Sequence, residues 1–158
     1  MVGPDEAEQR MQPGAWDTAG FLRPDSALQE ILAEDAETIR QRGLDSSQVG
    51  ARLAVILDAG SASDWRRPAQ TDDHEVEIVR QRGMITCPWA PDQFEACQTG
   101  EGARPTANRF RIRHRPSGQT LEGFELSAHL IRDHGFFGGP RTRFRIEPDR
   151  LLAALGLG

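Results

Sequence analysis

The sequence predicts an α+β protein: a small, mainly antiparallel sheet of three to four strands covered by helices, with an N-terminal helical hairpin attached at one side. Two observations carry this prediction. Apolar residues recur at helical spacing between residues 28 and 56 and again near the C-terminus, whereas residues 75–78, 109–113 and 141–146 alternate apolar and charged or polar side chains with the period of a strand. A third observation sets the scale: at 158 residues, with 37% hydrophobic residues and 16 glycines, the chain suffices for one main core and not for two large domains.

Residues 1–20 mix Gly, Pro, Gln and acids without an apolar period, which predicts a mobile tail. The helical hairpin is expected over residues 21–60. In its first helix Asp25 or Ser26 can cap, Leu28, Ile31, Leu32 and Ile39 form the apolar stripe, and Gly43 stops the helix. Val49, Leu53, Ala54 and Ile56 mark the second, which ends at Gly60 and is expected to pack on the first. Residues 61–73 have the charges and turn residues of a linker, in which Trp65 is expected to insert into a neighbouring surface.

The α+β domain then spans 74–158. Val76 and Ile78 alternate with Glu75 and Glu77 in a first strand, and Phe110 and Ile112 alternate with Arg109, Arg111 and Arg113 in a second. "RPSG", residues 115–118, turns this strand into a β-hairpin. A helix follows at "SAHLIRDHG", then a strand at 141–146 with Thr142, Phe144 and Ile146 opposite Arg141, Arg143 and Arg145. Pro148 starts a last helix on Leu151, Leu152 and Leu155.

Composition narrows the class further. No apolar run approaches the roughly 18–20 residues of a membrane span, and the N-terminus has neither a basic start nor an apolar signal region, so the chain reads as cytoplasmic, with no membrane partner. All 19 basic residues are arginine, a bias that a GC-rich, bacterial genome produces without any function. The net charge of −5 is unevenly spread: residues 1–103 hold 9 Arg and 19 acids, and residues 104–158 hold 10 Arg and 5 acids. Such a two-ended chain either offers its basic end to an anionic partner or folds its two ends together.

Four residues form the series C-x9-C-x31-H-x4-H: Cys87, Cys97, His129 and His134. Thiolates and imidazoles are the usual ligands of tetrahedral zinc, so these four are candidate ligands of a structural zinc ion. The histidine pair on a helix directly after a β-hairpin resembles the ββα zinc finger with two Cys and two His. That resemblance implies that all four residues would be structural ligands. It covers about 50 residues and departs from the finger in its cysteines, which are ten apart and precede the hairpin. Five positions on a regular helix turn a side chain by about 140° and advance it about 7.5 Å. Both rings therefore reach one ion only if they lean inward or the last turn loosens, as Gly135 allows. Two other readings stand beside zinc: buried thiols with a helix-capping histidine, and a disulfide or redox pair. His74 and His114 are reserve ligands.

The arginines form the second constellation. If the strands at 109–113 and 141–146 share a sheet face, Arg109, Arg111, Arg113, Arg141, Arg143 and Arg145 gather like charges that need an offset. The offset is internal, through Glu75, Glu77 or the acidic first helix, or it is an acidic protein partner, or nucleic-acid phosphate. "ETIRQRGLDSSQVGARL" also resembles the paired helices of helix-turn-helix proteins, which implies DNA reading, with Arg52 the only cation of the second helix. Serine-nucleophile, phosphate-loop and dinucleotide motifs are absent, as is the H-E-x-x-H spacing of zinc hydrolases. The first functional expectation is thus a noncatalytic binding or adaptor module that recognises a protein partner and carries a structural zinc. A nucleic-acid-binding regulator using the arginine-rich face is the alternative, and a metal-dependent hydrolase comes third.

Overall fold

A computed structural model describes residues 2–64 and 66–157, so the expectation for Trp65 lies outside the described residues. Along these residues run α1 (Pro4–Arg10), α2 (Leu28–Arg40), α3 (Ser46–Ala59), β1 (Ala69–Gln70), β2 (His74–Val79), β3 (Arg109–His114), β4 (Thr120–Phe124), α4 (Ser127–His134) and α5 (Pro148–Leu155), with a 3-10 turn at Gly60–Ala62. The strands form one antiparallel sheet in the order β1-β2-β3-β4, which gives the α+β architecture that the patterning predicts.

Register explains how the sheet gains two unlike faces. Val76, Ile112 and Leu121 lie side by side across β2, β3 and β4 and are buried. They pack with Val49 and Leu53 of α3 and Leu151 and Leu152 of α5. Each such side chain contributes about 1.5–3 kcal/mol when fully buried. The opposite face carries Glu75, Glu77, Arg111, Arg113 and Glu122.

A second apolar cluster lies beside the first. It joins Ala7, Met11, Phe21 and Leu22 of the N-terminal segment to Leu28 and Ile31 of α2, to the loop residues Ile85, Cys87 and Cys97, and to Leu130, Phe136 and Phe144. Helix α4 lies between the two clusters, with Ala128 and Ile131 in the first and Leu130 in the second. Its close neighbour is α3, where Gly50 lets the helices approach: a Cβ at that position would collide with the backbone of Arg132.

Two expectations are corrected. The first 20 residues form no mobile tail. They carry α1, and Ala7 and Met11, one helical turn apart, are fully buried. This helix also supplies the cap that Asp25 and Ser26 were expected to give, because the Glu8 carboxylate accepts the Leu28 N–H at 2.8 Å. Residues 141–146 form no strand either. Phe144 and Ile146 are buried as alternation requires, but Arg141 has a φ of 67° and the Arg145 N–H closes a turn onto the Thr142 carbonyl. A left-handed residue and a turn cannot extend into a ladder. The hairpin helices share a cluster through Ile39, Val49 and Leu53, while α3 packs chiefly on α4 and α2 on α5.

Candidate metal centre

The long connection from β2 to β3 brings both cysteines inward. The Ala90 N–H donates to the Cys87 carbonyl, so the chain reverses immediately after Cys87. Arg10 of α1 anchors this turn by donating to the carbonyls of Pro88 and Ala90 at 2.9 and 2.6 Å. Cys97 and Ala103 exchange both backbone hydrogen bonds, closing a second tight loop around Gly102. Cys87 and Cys97 are 1% and 2% exposed and unbridged.

Helix α4 supplies the other half. Its last residue is His134, and the following Gly135 takes a left-handed conformation with φ 66°, the helix-ending geometry that glycine permits. The Trp89 indole stacks on the His134 ring at 4.1 Å and 7°. His129 and His134 approach edge to face, 5.0 Å between ring centroids.

One donor atom from each of Cys87, Cys97, His129 and His134 lies within 4.8 Å of all the others, and the four can hold a metal ion. His134 Nε2 stands 3.4 Å from Cys87 Sγ and 3.6 Å from Cys97 Sγ. A tetrahedral ion with bonds of about 2.3 Å to sulfur and about 2.0 Å to nitrogen requires an S···N edge of about 3.5 Å. The two separations match that edge.

His129 adds an independent observation. Its Nδ1 lies 2.8 Å from Asp133 Oδ2, one helical turn on, and its Nε2 is buried without a partner among the described residues. With Nδ1–H donated to the carboxylate, the free lone pair belongs to Nε2, the arrangement that orients metal-binding histidines. Left empty, such a buried acceptor costs about 1–3 kcal/mol. Asp133 is itself held by Arg132, which also reaches Glu101 at 3.1 Å. Burial opposes its ionisation, but the Arg132 guanidinium and His129 together outweigh this and keep the carboxyl below its usual range. Burial pushes His129 down and, with the neighbouring His129, takes His134 down to about 4; burial pushes the Cys87 thiol up. The imidazoles are therefore neutral donors near neutral pH, and an incoming cation must displace the Cys87 proton.

The reserve histidines stand apart from this group. His74 and His114 face each other at 5.0 Å, with His74 Nε2 bonded to the Ala154 carbonyl.

The arginines do not gather on one sheet face, which corrects the premise of the six-arginine surface. Arg111 pairs with Glu122 and Glu77, and Arg113 with Glu75. Arg109 lies over the Phe124 ring at 4.5 Å. In the turn segment, Arg141 pairs with Asp25, Arg143 with Asp17, and Arg145 with Asp35 and Glu147. Sequence reasoning missed Asp133, although its position four residues after His129 places both on one helix face. It also missed Trp89 and Arg10, whose parts in the site depend on folding alone.

Comparison with protein-family models, curated proteins and solved structures finds no match. Function is therefore read from the site and its surface. Among the described residues no helix is long and apolar enough to cross a membrane.

Proposed function

We propose that this protein is a noncatalytic binding module for a protein partner, held in shape by one structural zinc ion on Cys87, Cys97, His129 and His134. The observation that carries the reading is the buried donor group with the partnerless His129 Nε2 at its edge. Two thiols and two imidazoles at tetrahedral separations favour zinc over harder cations. Four protein donors leave no open position for water, which speaks against the hydrolase reading. A cytoplasmic setting, where thiols stay reduced, suits such a centre.

A protein partner is favoured over nucleic acid by the charges of the open sheet face. Arg111 and Arg113 are offset by Glu75, Glu77 and Glu122, so this face offers no uncompensated track for a phosphate backbone.

Metal analysis tests the reading directly. Zinc should copurify near one equivalent, and stripping it with a chelator should abolish cooperative thermal unfolding, because binding energy here is folding energy. Cys87→Ala and His134→Ala should each lose the metal. Protein that is metal-free and equally stable overturns the proposal. Affinity capture should retrieve a protein partner with the zinc-loaded form and lose it after chelation.

A further inference from the structure

The groove that β3 and β4 form with residues 145–150 holds charge the fold does not use. It has a volume of about 490 Å3, and its lining includes four arginines, Arg109, Arg111, Arg145 and Arg150, against two acids, Glu122 and Glu147. Arg111 is taken by Glu122 at 2.6 Å, and Arg145 by Asp35 at 2.6 Å and Glu147 at 3.1 Å. Arg109 and Arg150 bond to no carboxylate among the described residues. Arg109 is held in place by the Phe124 ring beneath it, which lowers the entropy lost when its fork binds. The groove also runs along β4, the edge strand of the sheet, whose outer side has no ladder partner among the described residues. Such an edge suits an extended chain.

We infer that this groove docks an extended acidic segment of a protein partner, with carboxylates received by Arg109 and Arg150. The inference rests on the binding-module reading and names its partner's chemistry. The guanidinium fork matches a carboxylate through two parallel hydrogen bonds. A nucleic acid fits less well. Glu122 and Glu147 within the groove oppose a continuous phosphate backbone, and the chain's net charge of −5 repels it at range. A peptide can instead set its acidic residues against the two free arginines and neutral ones against the two glutamates.

The test uses the zinc-loaded, full-length protein and two labelled probes followed by fluorescence anisotropy: an alternating Glu-Val peptide and a single-stranded oligonucleotide of equal charge. The peptide should bind more tightly than the oligonucleotide. Arg109→Gln with Arg150→Gln should weaken it about tenfold or more, the loss expected for charge-assisted hydrogen bonds. Arg113→Gln, outside the groove and paired with Glu75, should leave it unchanged. Zinc content and melting temperature of the double variant serve as the fold check, and Arg150→Gln alone, at an exposed helix position, serves should the double variant be unstable. Tighter oligonucleotide binding, equal weakening by Arg113→Gln, or no peptide binding by zinc-loaded protein overturns the groove. Protein that never holds zinc overturns the earlier reading instead, so the two failures are distinct.

Discussion

At the scale of single residues, the donor histidines are set by neighbours and not by helix position alone. His129 is aimed by Asp133 and His134 is clamped by Trp89. Asp133→Asn keeps the shape but weakens the acceptor that fixes the His129 tautomer, so metal affinity should fall about 10- to 100-fold. Competition with a calibrated chelator measures this. Unchanged affinity would show that Asp133 serves only Arg132. Asp133 was missed, although residues four apart on a helix share a face and its spacing from His129 carried that signal. The Trp89 contact was not legible, because forty-odd residues separate it from His134 and no local period links them.

At the scale of elements, α3 decides where α4 lies, and α4 carries both imidazoles. Gly50 is a point of close approach, and Gly50→Ala would press a methyl group into the Arg132 backbone. Overpacking of this kind costs about 1–3 kcal/mol. Denaturant unfolding should show that loss, together with weaker metal binding as α4 is pushed from the cysteine loop. An unshifted midpoint would mean that the helices part freely here. The helix periods of α2, α3 and α5 and the alternation of β2 and β3 were legible, because a long amphipathic pattern reports one buried face. Residues 141–146 show the limit of that signal. Their alternation is real, since Phe144 and Ile146 are buried, yet each enters a different apolar cluster from an irregular turn. Burial alternates there without backbone pairing.

At the scale of the whole molecule, the uneven charge along the chain is resolved by folding its two ends together. Arg141, Arg143 and Arg145 reach Asp25, Asp17 and Asp35, and Arg42 reaches Asp149. The Arg145–Asp35 pair is the most buried of these, with side chains 14% and 7% exposed. Burial alone would weaken the charge on Arg145, but Asp35 and Glu147 more than compensate and raise its pKa. Asp35→Ala leaves that guanidinium largely enclosed with only the exposed Glu147 and the Gly138 carbonyl as partners, and should cost stability in chemical denaturation, by less than the roughly 3–5 kcal/mol of a buried charge left with no counter-ion. Adding Arg145→Met should recover much of the loss, because an apolar side chain has no charge to strand. Failure of the double substitution to recover stability would mean that the pair positions the 138–147 segment by its hydrogen bonds.

The amino-acid sequence by itself determined the α+β class and the four candidate metal donors. Secondary-structure periods are local, and thiols and imidazoles are few enough to be recognised by type. Only the tertiary structure decided that the donor atoms converge, that the N-terminal segment packs as α1 and anchors the Cys87 turn, and that five of the six candidate arginines, all but Arg109, are matched by carboxylates on other segments of the chain. Those outcomes depend on contacts between residues up to 126 positions apart. No periodicity in the chain encodes such a contact; it arises when burial of the two apolar clusters brings remote segments together.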